Sequence, residues 1–370
     1  MAHLYEKKSF KKTSLFVVFD AGSLYETEGQ YGTMHLMEHT ICKTFDDMLD
    51  EFTKNGIDYN AYTGDDHVVF HFTGLASRLT SDVKSRVVHK ILGGLDNITE
   101  ESFNTERQTV VQEYLDYFNS ESGSGLNMMR TKFGTYGAIG KRSDIEAFTF
   151  KDAKKRYKEF FLTPARIVEI GPEKTDFSWV KFADTPTHPA AKLKYKKNWK
   201  LELEKTPESD KDTVVMLGKK MVSKADFPYM HFACSMLSAG LNSPFYKEIR
   251  KKRGLSYYSG GDCNSYGQLS VVSFAATTTQ DRTEELKTIY NELFTDVTKY
   301  LTQERFDLIM SLAEVEKEEI KLLRFAHNGD LVRKGLPMMP KNPRKITYDK
   351  VLSVAQKYLN LDNLEQVVIK

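Results

Sequence analysis

The second half of this chain replays the first, and that repetition restricts its fold more than any other feature. Ile98-Thr99-x-x-x-Phe103 is echoed by Leu301-Thr302-x-x-x-Phe306, and the passage from Phe148-Thr149 to Ile170 by Ile346-Thr347 to Ile369. Both halves run through the same order: a β-rich run, a helical run, a hairpin, a pair of helices, a further helix and a last strand. The economical explanation is a duplicated mixed α/β domain. At 370 residues the chain is long enough for two domains with sizeable cores.

In the first half, Leu15 to Phe19 reads as a buried strand closed by a turn at Asp20 to Ser23. A helix carrying His35 continues through Met48, Leu49 and Phe52 to a stop at Asn55-Gly56. Ile57 to Thr63 and His67 to Thr73 flank Gly64-Asp65-Asp66 as a hairpin. Helices follow over Leu79 to Leu95 and Thr99 to Phe118, the second capped by Asn97 or Thr99. Ser120 to Leu126 and Gly134 to Gly140 are glycine-rich loops. Thr149-x-x-Asp152 caps a helix ending near Phe161, and Arg166 to Ile170 forms a strand.

The second half gives a strand at Val214 to Leu217, a helix at Tyr229 to Ala239, and a hairpin of Ser256 to Asp262 with Leu269 to Ala275. Helices at Glu284 to Tyr300, Thr302 to Leu323 and Tyr348 to Leu359 lead to a final strand at Leu364 to Ile369. A linker over about 172–211, charged and bearing Pro186, Pro189 and Pro207, separates domains expected at 1–180 and 190–370. Its basic run, Lys192 to Lys200, alternates with Leu193, Tyr195 and Trp199, as a strand with a solvated lysine face would.

A formal net charge of +2 gives no field that would draw nucleic acid or an anionic membrane. Cys42, Cys234 and Cys263 have no disulfide spacing and read as free thiols in a reducing compartment, with Cys42 a small buried thiol on the His35 helix. The start of the chain has neither a signal-peptide nor a transit-peptide pattern, and no apolar run reaches membrane-spanning length. A cytoplasmic location is expected.

The chemistry is concentrated in Gly32 to Thr40. His35 and His39 are four residues apart, so a helix stacks their rings on one face, and Glu38 stands on the rim of that face. Two neutral imidazoles suit zinc, whose catalytic sites take three protein ligands and leave a fourth position for water. His-x-x-Glu-His is the inverted form of the commoner zinc-peptidase motif. The Thr99 helix offers the missing ligand: Glu106 and Glu113, seven apart, share a face, one to bind metal and the other to steady a histidine.

With these residues the sequence resembles the pitrilysin and insulinase family of zinc metallopeptidases, which includes the mitochondrial processing peptidases. The resemblance covers both halves. It implies an α+β fold of two topologically similar domains, each a mostly antiparallel sheet with helices packed on it. It assigns one zinc per chain to His35, His39 and Glu113, the base to Glu38, and the support of a histidine to Glu106. Asn60-Ala61-Tyr62-Thr63 is similar to the family's Asn-Ala-x-Thr strand, along whose edge an extended peptide is added.

Phe245 to Tyr257 resembles the family's other marker, an Arg and a Tyr seven apart, which implies substrate-binding and catalytic roles for Arg250 and Tyr257 rather than Arg253. The chain departs from the family at Thr40-Ile41-Cys42-Lys43-Thr44, where a more apolar run and Gly-Thr are usual. The expected protein is a zinc endopeptidase that cleaves peptides or unfolded segments inside a closed chamber. The expected assembly is a homodimer whose subunits share active sites. Two other readings are a processing peptidase dedicated to one protein and a catalytically silent structural subunit.

Overall fold

A computed structural model describes residues 3–7, 9, 11–119, 131–183, 191, 195, 210–257, 259–266, 269–322 and 346–369. Strand β2 (Lys12–Phe19) is buried from Thr13 onward, as its run of β-branched and aromatic residues requires of a central strand. It lies in a five-stranded sheet of order β1-β5-β2-β4-β3, with β1 at His3–Lys7, β3 at Asp58–Thr63, β4 at Val68–Leu75 and β5 at Arg166–Gly171. All neighbours are antiparallel except β1 and β5. β1 escapes the sequence reading because His3–Lys7 carries no apolar run and finds its partner only at Ile167 to Gly171.

Helix α1 (Thr33–Cys42) follows β2 and packs against β3. The helix expected from His35 to Asn55 is broken: a 3₁₀ turn, Lys43–Met48, separates α1 from α2 (Leu49–Asn55). Met48 and Phe52 are both buried, so the apolar spacing runs across the break and conceals it. At the break the Thr44 hydroxyl takes the Ile41 carbonyl, a side-chain bond that competes with the helical ladder. The expected stop at Gly56 holds, at a φ of 61° that suits glycine.

Helix α3 (Ser81–Leu92) is capped by Thr80, and α4 (Glu100–Asn119) begins where the Thr99 hydroxyl accepts the Ser102 amide. After α5 (Arg142–Ala147), the capping box read from Thr149 and Asp152 opens α6 (Phe150–Phe160). Beyond β5, Phe177 and Val180 are buried and the Ala183 amide bonds to the Pro164 carbonyl, so this stretch belongs with the first unit.

The second unit holds a sheet of order β7-β8-β6-β9, all antiparallel, from β6 (Lys211–Gly218), β7 (Ser259–Tyr266), β8 (Leu269–Thr279) and β9 (Leu364–Ile369). Its core is filled by α7 (Phe227–Ser238), α8 (Thr283–Thr295), α9 (Gln303–Leu322) and α10 (Tyr348–Tyr358), with Phe232, Phe245, Phe274 and Tyr290 fully enclosed. With β1 set aside, the order β5-β2-β4-β3 matches β9-β6-β8-β7 strand for strand, so the fold is a duplicated α+β unit. Thr131–Gly134 joins this second unit, where Lys132 Nζ lies 3.1 Å from Glu365 Oε1. No helix among the described residues is long and apolar enough to cross a membrane. Ser120 to Leu126, the three linker prolines and the Lys192 to Lys200 run, Tyr195 excepted, lie outside the described residues.

Candidate metal centre

Helix α1 brings His35 and His39 together one turn apart, their rings edge to face with centroids 4.8 Å apart. Helix α4 supplies the carboxylates. Glu113 Oε2 lies 3.4 Å from His35 Nε2, and Glu113 Oε1 lies 3.6 Å from His39 Nε2. Ligands about 2.0–2.2 Å from a tetrahedral zinc stand about 3.3–3.6 Å from one another, so these separations fit a shared metal. All three ligand atoms fall within 4.8 Å of one another.

Electrostatics favour the same reading. Burial, together with the charge of His39, pushes the pKa of His35 down to about 3, leaving a neutral imidazole with a lone pair to donate. His35 Nδ1 is buried with no hydrogen-bond partner among the described residues, so the ring's outlet is the Nε2 that faces Glu113. On His39, Nδ1 lies 3.3 Å from Glu106 Oε2, which leaves Nε2 turned towards Glu113. Lys43 stands behind Glu106 at 3.7 Å and is itself paired with Asp46 at 2.5 Å.

Glu38 is only 6% exposed and is not one of the three converging groups. Burial raises its pKa to about 6, partly offset by the Thr63 hydroxyl, which donates to Glu38 Oε2 at 2.7 Å. Thr63 ends β3, an edge strand, so sheet and helix together fix the carboxylate. A cleft of about 600 Å³ joins His35, Glu38, His39 and Glu113 to the β3 residues Asn60 and Ala61. Along that edge the Ala61 amide donates to the Asn60 side chain at 2.9 Å.

Residues 2–130 match the family described as insulinase (peptidase family M16), and residues 171–312 match the peptidase M16 inactive domain. The chain belongs to the M16 peptidase family. A Rickettsia felis protein described as an uncharacterized zinc protease is 22% identical, over 82% of this chain and 80% of its own length. A protease from Helicobacter pylori superposes with a TM-score of 0.77 at 18% identity, covering 100% of this chain and 96% of that one. A peptidase M16 inactive domain from Pseudomonas fluorescens gives 0.73 at 16% identity, covering 99% and 94%. At such identities the two structures establish the fold.

The expected site residues divide between the two matched segments. The converging His35, His39 and Glu113 fall in the segment matched to insulinase, whereas Arg250 and Tyr257 fall in the segment matched to the inactive domain. Arg250 donates to the Tyr257 carbonyl at 3.2 Å and lies 4.2 Å over its ring, while Arg253 is tied to Glu248 at 2.9 Å. Tyr257 is 84% exposed.

In the duplicated order, α7 of the second unit corresponds to α1 of the first. α7 carries His231-Phe232-Ala233-Cys234-Ser235 and lies in chain order between β6 and the β7–β8 hairpin, as α1, with His35 to His39, lies between β2 and the β3–β4 hairpin. Asp262 Oδ1 accepts the Cys263 amide at 2.7 Å, as Asn60 Oδ1 accepts that of Ala61, and pairs with His231 at 2.8 Å. Cys234 takes the place of the glutamate; full burial holds its thiol far above the ordinary range, so it offers neither a base nor a thiolate ligand. Only alignment of the two helices through the duplication makes His-x-x-Cys-Ser legible.

Proposed function

We propose that this M16 peptidase is a zinc-dependent endopeptidase that cleaves peptides or unfolded protein segments within a closed chamber. The convergence of His35, His39 and Glu113, with Glu38 buried beside them, carries that reading. When bound, zinc supplies Lewis acidity that makes water nucleophilic at neutral pH. Glu38 takes the proton of the attacking water and passes it to the leaving amine. Glu106 holds His39 in one tautomer. The edge of β3 at Asn60, Ala61 and Tyr62 takes the substrate as an added strand, which selects extended chains over folded ones. The three cysteines are unpaired thiols, in keeping with a cytoplasmic setting. Digestion of a mixed, unstructured peptide library with and without chelator, read by mass, tests the reading: chelator-sensitive cleavage supports it, and cleavage indifferent to chelator refutes it.

Arg250 and the exposed Tyr257, side by side in the second unit, steady the substrate and its developing oxyanion. The chain carries one metal unit and one Arg/Tyr unit, so the assembly proposed is a homodimer in which each subunit lends Arg250 and Tyr257 to its partner's metal. In a mixture of Glu38→Gln and Arg250→Ala chains, half the dimers are hybrids with one intact site of two. About a quarter of wild-type activity should return on mixing two inactive chains. No recovery, with hybrid dimers demonstrated, excludes sharing across subunits.

A further inference from the structure

Helix α1 lacks a side-chain cap of its own: its N-cap position is Gly32, which has no side chain to offer and sits at a φ of 93°. The Gln30 carbonyl takes the Thr33 amide at 3.2 Å, and Glu26, six residues upstream of Gly32, serves the amides on either side of Thr33. Glu26 Oε2 accepts the Gly32 amide at 3.0 Å and Oε1 accepts the Met34 amide at 2.7 Å, so one carboxylate grips both sides of the helix entry. Glu26 is 4% exposed, and burial pushes its pKa up to about 8 against the two amide hydrogen bonds and the charge of the nearby buried Arg156 on α6, which pull it down.

The entry has no slack on its other side. A Cβ on Gly32 would meet Ile145 at 2.8 Å, and one on Gly140 would meet the Gly32 backbone at 2.2 Å. Met34, the second residue gripped, immediately precedes His35. We propose that Glu26 is a positioning residue for the metal centre: by capping α1 from the preceding loop it fixes where His35 stands relative to His39 and Glu113. This rests on the metal reading above and extends it to a residue that touches neither metal ligand nor substrate. Without the clamp the first turn is free to fray, and His35 lies in that first turn.

The test compares zinc dissociation constants, measured by chelator competition, for wild type, Glu26→Gln and Thr80→Ala, with the visible spectrum of the cobalt-substituted protein as a second readout. Thr80→Ala removes the cap of α3 and so weakens the same unit at a helix without metal ligands. Glu26→Gln should weaken zinc by about 10- to 100-fold, the range for residues that orient a metal ligand, and alter the cobalt spectrum. Thr80→Ala should stay close to wild type. Equal affinity in wild type and Glu26→Gln overturns the inference, as does an equal loss in both variants, which would mark general destabilisation. If the Gln chain does not fold, Glu26→Asp, which keeps the carboxyl group but shortens its reach, is judged by the same comparison. A wild-type chain that binds no zinc refutes the metal reading itself, a distinct outcome.

Discussion

A Glu38→Gln chain should bind zinc as wild type does and cleave an unstructured peptide about 10²- to 10⁴-fold more slowly, the usual contribution of a positioned general base. The amide matches the carboxylate in shape, so the cleft between α1 and β3 need not move, but it cannot take a proton. Glu38 stands apart from the His35, His39 and Glu113 group, so metal content should not follow the loss of rate. Thr63→Val is the companion test. It removes the hydroxyl that donates to Glu38 Oε2, a bond to a charged group, and should lower kcat by about tenfold or more with little change in KM. Metal analysis beside steady-state kinetics decides the matter. Zinc lost from Glu38→Gln would make Glu38 a ligand, and unimpaired cleavage would remove it from the reaction.

The parts of this site that are legible in the sequence are those set by a single helix. His35 and His39 meet because residues four apart must stack, whatever the rest of the chain does. Glu106 and Glu113 are legible as sharing a face, but a seven-residue spacing is common on solvated helices; which of them reaches the histidines depends on how α4 packs, and the resemblance alone pointed to Glu113. The duplication is legible for the same local reason, because threonines ahead of a helix and apolar spacing recur at Thr99 and Thr302 and at Thr149 and Thr347, although the Thr347 side chain makes no capping bond. What is lost is long-range or masked by continuity. β1 depends on a partner more than 160 residues away, the break at Lys43 lies within an unbroken apolar rhythm, and Glu26 looks like one more surface acid until its two amide bonds are seen.

The same blindness covers the largest expected effect on stability, Glu169→Gln, which should cost about 3–5 kcal/mol in urea unfolding at neutral pH. Lys84 on α3 and Glu169 on β5 are 3% and 0% exposed and meet at 2.6 Å, with the Thr175 amide and hydroxyl completing the carboxylate's shell at 2.9 and 2.7 Å. Neither residue looks unusual in the sequence. Once enclosed, the pair is costly to break because the amide leaves Lys84 as an uncompensated charge away from water. Lys84→Met with Glu169→Met should therefore be milder than Glu169→Gln alone. Burial alone would raise the pKa of Glu169, yet hydrogen bonds from His3, Lys84 and Thr175 bring it down from 4.5 to about 2. A carboxylate with a depressed folded-state pKa stabilises above the unfolded value and loses that contribution as pH falls through the folded one. The gap between wild type and Glu169→Gln should thus be full above pH 4.5 and narrow towards pH 2. A gap that stays constant over that range would mean the carboxylate's charge has no part in holding β5 to α3.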